Sequence, residues 1–311
     1  MKPDVEAALQ RAIQVRRQVL QGLTYADRIR LLETLLYDFF VQERATLLKW
    51  AALTGQSAQV DTGYIAQHVA SIVLGEPGQG FKGKGLDLAD GSEVKSAAIL
   101  SGVDRPRWNH DMGTVASDND RRSRGLQPKW QTYLEAPRIF YLLFDRVVDP
   151  ALQGELVLRI RAWLIDAKQD KNWRDLITRF VASRAGNKYN LQLHPPVGYD
   201  DSIVVNSLGN LDFEQVKVLE VQMSGLRPNQ SFTIRWVLKP RESLAPITGR
   251  CIALPWRRGE RPSRLTDAAD VQPDIVAIQQ LVPHTDLKDL AEATAAEISM
   301  LPEVPSDDLQ E

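Results

Sequence analysis

Two apolar runs, RIFYLLFDRVV at 138–148 and LVLRIRAWLID at 156–166, most narrow the folds open to this chain. Each is nearly continuous and rich in branched and aromatic residues, the pattern of a strand buried in a sheet. A helical pattern follows at 171–184, and short strands at 188–194, 216–222 and 231–238 are expected to complete the sheet. Ahead of the runs, residues 3–54 read as helix: Leu31, Leu32, Leu35, Leu36, Phe39 and Phe40 recur at helical spacing, and Thr24 with Asp27 makes an N-terminal cap. Another helix is expected over 61–74, ended by Gly75, Pro77, Gly78 and Gly80. Two short strands, 85–89 and 92–99, are expected to form a hairpin through Asp90-Gly91. Residues 101–136 are polar and read as irregular. The order is that of a mixed α/β (α+β) sheet flanked by helices, and not of an alternating doubly wound fold. The expected organisation is a helical N-terminal region at 1–60 and a core at 61–200. A β-rich extension at 201–265 and a C-terminal segment at 266–311 with an acidic, mobile end complete it.

The glycine-rich stretch PGQGFKGKGLDLADGSEVKSA, residues 77–97, raises a functional question. Gly78, Gly80 and Gly83 spell GxGxxG, yet a dinucleotide fingerprint needs a strand before the glycines and a helix after them. Here a helix precedes and a hairpin follows. Gly78 to Lys84 nearly fits GxxxxGK, but Gly85 stands where a magnesium-holding Ser or Thr belongs. The glycines therefore read as turn formers that let backbone approach another group closely, and the interleaved Lys82 and Lys84 would suit a phosphate.

The second half of the stretch suggests phosphodiester chemistry. Two carboxylates can hold magnesium, which polarises a water and screens the phosphate, and a neighbouring lysine adds positive charge. Glu93 and Lys95 are two apart on a strand and so share a face. If Asp90-Gly91 alone is the loop, Asp87 pairs with Val94 on the wrong face; with the expected three-residue loop Ala89-Asp90-Gly91, or an equivalent bulge, it sits opposite Glu93. Asp166-Ala167-Lys168 competes, but Asp166 also reads as a cap or loop acid; Asp286-Leu287-Lys288 falls in an expected helix, where such a pair does not share a face.

GKGLDLADGSEVKSA resembles the catalytic segment of the PD-(D/E)XK nuclease superfamily, and the run 54–110 is similar to type II restriction endonucleases of the MamI kind. The resemblance implies a restriction-endonuclease-like fold and a magnesium-dependent cut in double-stranded DNA. It assigns catalysis to Asp87, Glu93 and Lys95, with Asp87, Glu93 and the Val94 carbonyl as metal ligands. Gln67 and His68 stand on the preceding helix, where many members carry a glutamate, which argues against a second firmly held metal. Expected DNA contacts are Ser96 and, in the segment after the catalytic strand, Arg105, Arg107, Trp108, Asn109 and His110. Arginine reads guanine or holds phosphate, asparagine reads adenine, and Trp108 is either a wedge or a buried loop residue. A homodimer is expected, since a two-fold protein suits a palindromic duplex.

Composition agrees with a globular chain: 43% hydrophobic and 25% charged residues. No apolar run approaches a membrane span and the N-terminus has no apolar leader, so a soluble cytoplasmic protein is expected. Cys251 is the only cysteine, which excludes an intramolecular disulfide and a cysteine zinc site. Net charge is −2, but residues 236–264 hold seven bases, including Arg257 and Arg258, against two acids; the segment reads either as a phosphate-neutralising grip or as a solvated loop.

Overall fold

The computed structural model describes residues 3–56, 60–79, 87–100, 106–149, 155–184, 189–196, 203–206, 209–212, 217–224, 232–238, 247–248, 252–254 and 268–300. Helices α1 (Pro3–Gly22) and α2 (Tyr25–Tyr37) are followed by a π-helical segment, Asp38–Glu43, and by α3 (Arg44–Thr54) and α4 (Thr62–Leu74). The expected cap is present: the Asp27 amide donates to Thr24 Oγ1 at 3.2 Å, and the Thr24 amide donates back to Asp27 Oδ2 at 3.0 Å. Strands β1 (Glu93–Ile99) and β2 (Trp108–Asp111) come next, then α5 (Val115–Ser123) and α6 (Lys129–Glu135). The two apolar runs form β3 (Ile139–Asp149) and β4 (Glu155–Ile165), and α7 spans Lys171–Ser183. Short strands β5 (Asn190–Leu193), β6 (Ile203–Asn206) and β7 (Gly209–Asp212) lead to β8 (Lys217–Ser224) and β9 (Phe232–Leu238). After β10 (Ile247–Thr248) and β11 (Ile252–Leu254), the chain closes with α8 (Ala268–Leu281) and α9 (Lys288–Met300).

The chain divides into two compact units, one of 1–34, 71–89 and 259–311, the other of 35–70 and 90–258. In the first, Leu23, Val282 and Leu287 form a small core with Val19, Leu20, Leu31, Ile275 and Leu290 around it. Arg17 holds the buried Glu76 carboxylate with both Nε and Nη2, at 3.0 and 2.6 Å, and Arg28 donates to the Leu20 carbonyl.

The second unit is built on a mixed sheet in the order β1-β3-β4-β8-β9, with β10 and β11 both pairing β9 at the far edge. β1 runs parallel to β3 in the register Glu93↔Ile139 to Ile99↔Asp145; the other pairings are antiparallel. β3 is buried on both faces, which explains its continuous apolar sequence. Ile139, Tyr141 and Leu143 face a core with Trp108, Trp163, Trp173 and Phe180. Phe144 faces the other way, its ring 5.2 Å from that of Phe40. Across β3 and β4, Asp145 takes two hydrogen bonds from Arg159, at 3.1 and 2.8 Å, and one from Arg161 at 3.0 Å, all three side chains buried.

The structure departs from the sequence reading in three places. Residues 101–136 were expected to be irregular, but 108–111 and parts of 115–135 form β2, α5 and α6. The strand expected at 188–194 pairs with β2 and stands outside the main sheet. The hairpin over 85–99 is not formed by the described residues. Asp87 is in a bend, Leu88 makes an isolated bridge to Gly78, and β1 takes β3 as its neighbour. The reason is local. Gly91, at φ +87°, turns the chain while Asp90 Oδ1 accepts from the Ser92 amide at 2.8 Å, and the Glu93 amide then bonds the Arg138 carbonyl at 3.0 Å. Arg138 also pairs with Asp90. The turn therefore delivers the chain to β3.

Candidate active site

Glu93 opens β1 and Lys95 follows on the same face, as the spacing requires. Lys95 Nζ lies 2.5 Å from Glu93 Oε1, with the side chains 22% and 17% exposed, so the pair is sheltered yet reachable. Val94 points to the opposite, buried face, and Ser96 shares that side: a Cβ placed on Gly63 would come within 4.0 Å of its hydroxyl. Ser96 thus faces α4, away from the Glu93–Lys95 pair.

Lys95 is paired in register with Tyr141 of β3 and lies 6.0 Å from the centre of the Tyr133 ring. The Tyr141 hydroxyl lies 2.8 Å from His110 Nε2, while His110 Nδ1 faces the Leu191 carbonyl at 3.4 Å. A carbonyl only accepts, so Nδ1 carries the proton and Nε2 receives the Tyr141 hydroxyl. Burial, with the nearby Lys95 charge, pushes His110 down to about 3, so the ring is neutral at neutral pH. Burial raises Tyr141, and the neighbouring Tyr133 and Glu93 act in the same direction. At the rim, burial works to raise Asp111, but hydrogen bonds from Lys129 and the Gly113 amide prevail and hold it below the ordinary carboxylate value.

β2 sorts the segment after the catalytic strand by its alternation. Trp108 and His110 are fully buried, whereas Arg107 and Asn109 are exposed. The Trp108 indole donates to the Leu142 carbonyl at 2.9 Å, so this side chain is core and not a wedge. His110 likewise faces Tyr141 and not solvent. Lys82, Lys84, Arg105, Arg257 and Arg258 lie outside the described residues. Asp87 falls in the first compact unit and Glu93 with Lys95 in the second; their association rests on a separation of six residues in sequence. Among the described residues no three His, Cys, Asp or Glu side chains gather as a metal-binding group. Two carboxylates and a carbonyl, the set implied by the resemblance, are fewer than that.

The rival pairs are accounted for. Asp166 Oδ1 accepts from the amides of Lys168 and Gln169 at 3.1 and 3.0 Å, making a turn before α7, which Asp170 caps. Asp286 accepts from the Lys288 amide at 2.9 Å just ahead of α9, so it lies before that helix and not within it. Sequence reasoning missed Tyr133 and Tyr141. Tyr141 was findable, being a polar-tipped residue within an otherwise apolar stretch of β3.

The family model described as MamI restriction endonuclease matches residues 49–229. A curated relative, "Type II restriction enzyme MamI" of Microbacterium ammoniaphilum, is 56% identical over 275 residues, covering 87% of each chain. No solved structure matches.

Proposed function

The chain belongs to the MamI restriction endonuclease family and is a type II site-specific deoxyribonuclease; we propose that it cuts double-stranded DNA as a magnesium-dependent homodimer in the cytoplasm. The supporting observation is the Glu93–Lys95 pair, carboxylate against ammonium on one face of β1. No helix among the described residues is long and apolar enough to cross a membrane.

Asp87, Glu93 and the Val94 carbonyl are the residues proposed to hold magnesium. The donor chemistry fits, since all are hard oxygen donors and the Glu93 side chain is partly exposed beside the ammonium. Bound there, magnesium would supply a polarised water and a counter-charge for the phosphate. Lys95 brings a second positive charge to the scissile group and orients the attacking water. Tyr141 and Tyr133 hem in the lysine and limit where its ammonium can point. Arg107 and Asn109, on the outer side of β2, are proposed to meet bases or phosphates, joined by Lys82, Lys84 and Arg105. Arg257 and Arg258 are proposed to grip the backbone without reading sequence.

Plasmid incubated with the protein and magnesium should yield discrete linear fragments. Structure-dependent nicks alone would favour a repair activity, and intact plasmid across several sequences would overturn the proposal.

A further inference from the structure

We infer that the stretch Asp38–Thr54, with the neighbouring end of β3, is the surface on which a second copy of this chain docks. The inference rests on the homodimeric reading above and assigns it a place.

The first observation is α3 itself. Leu48, Trp50 and Leu53 are 43%, 61% and 77% exposed, and Lys49 is the one charged side chain after Arg44. At about 100° per residue, Leu48 points nearly opposite to Trp50 and Leu53. Large apolar side chains on two sides of a helix belong in an interior, yet this helix stands largely in solvent. A bare apolar element of this size on a soluble protein marks an interaction surface.

The second observation is charge. The Phe40–Phe144 ring contact fixes the π-helical segment against β3. One helical turn beyond Phe40 comes Arg44, and two residues beyond Phe144, on the same side of its strand, comes Arg146. The two guanidinium groups are neighbours: burial first, then the Arg146 charge, pulls Arg44 below its ordinary value. Neither makes a hydrogen bond or ion pair among the described residues, and Arg44 Nε is buried without an acceptor. Asp38 and Glu43, on the same stretch, are raised by burial with no cation answering them. Two exposed acids and two partly buried bases thus stand unpaired within one copy.

A surface with both signs unpaired beside an apolar stretch can be complementary to a rotated copy of itself. In a two-fold contact the arginines of one copy can meet the carboxylates of the other while the α3 helices cover each other. DNA is the poorer occupant, because Asp38 and Glu43 repel phosphate and exposed Trp50 and Leu53 gain nothing from it.

Sedimentation velocity of the full chain at micromolar concentration tests the assignment, with wild type, Leu53→Glu, Trp50→Glu and Arg44→Glu compared. All the substituted side chains are at least partly exposed, and unchanged circular dichroism checks the fold. The expected result is a wild-type dimer whose dissociation constant rises at least about 30-fold in Leu53→Glu and in Trp50→Glu. Arg44→Glu should weaken it too, more at low salt than at high. A wild-type dimer that all three substitutions leave intact would overturn the surface and keep the homodimer. A wild-type monomer would overturn both. An Arg44→Glu protein that stays dimeric but loses DNA affinity would give the arginines to phosphate instead. Sedimentation does not depend on cleavage, so failure of the enzymatic reading would show separately, as uncut plasmid.

Discussion

His110 Nε2 receives the Tyr141 hydroxyl at 2.8 Å inside a fully buried aromatic cluster directly behind Lys95. The imidazole is therefore a neutral acceptor, fixed in one tautomer by the Leu191 carbonyl. Its folded-state value of about 3 lies below the unfolded value near 6.5, so the unfolded chain binds the extra proton first. Stability from this group is complete above the unfolded value and falls as pH drops toward the folded one. Between pH 7 and pH 5 the loss should be about 2 kcal/mol, measured by urea unfolding. His110→Gln should flatten that slope, and an unchanged slope would refute the assignment.

Tyr141→Phe removes the one hydroxyl that, among the described residues, is aimed at His110 Nε2. The buried acceptor is left without its donor, at a cost of about 1–3 kcal/mol in unfolding free energy. Cleavage should slow by about tenfold while DNA affinity, measured with calcium in place of magnesium, stays the same. A variant as stable and as fast as wild type would show that the hydroxyl does neither job.

The catalytic assignment sets two acid-lysine pairs against each other. Asp87→Asn and Lys95→Ala should each lower cleavage by at least about 100-fold with the fold intact. Lys168→Ala should leave most activity, because Asp166 is engaged with backbone amides. The reverse result, with Lys168→Ala inactive and Lys95→Ala cutting, moves the site.

Asp145 answers two buried arginines at once. Asp145→Ala should destabilise the sheet by about 3–5 kcal/mol, since it strands both cations in the core. A loss under about 1 kcal/mol in urea titration would mean that the arginines find other partners.

Replacing Arg257 and Arg258 together by alanine should weaken binding to all duplexes alike and flatten the salt dependence by roughly two phosphate contacts. An effect confined to one sequence would make them base readers.

The parts of this fold that were legible in the sequence were those set by local period. β3, β4, α7 and the Thr24–Asp27 cap each follow from a few adjacent residues. Glu93 and Lys95 share a face for the same reason. The partner of β1 was not legible, because Asp90-Gly91 signals a turn without saying where the chain goes afterwards. Its destination depends on Arg138, which is distant in sequence yet binds both Asp90 and the Glu93 amide. The segment after β1 carries its own sorting signal. Trp108, His110 and Met112 alternate with Arg107, Asn109 and Asp111, and that period of two separates core from surface. Aromatic and imidazole groups in polar company resemble recognition chemistry, and composition alone does not tell them from a strand's inner face.

The parallel register of β1 on β3 also orders events in time. β3 and β4 adjoin in sequence, so closing their ladder requires only a short loop. Joining Glu93 to Ile139 means closing a crossover of more than forty residues that contains β2, α5 and α6. Such distant contacts are made late, after nearer ones have reduced the entropy still to be lost. By that measure the strand that carries Glu93 and Lys95 docks after the β3–β4 ladder, and the still more distant β4–β8 pairing follows it. During refolding, cleavage should lag the recovery of strand signal in circular dichroism. A chain that has closed only the β3–β4 ladder has not yet fixed Glu93 and Lys95 on the sheet, and should not cut.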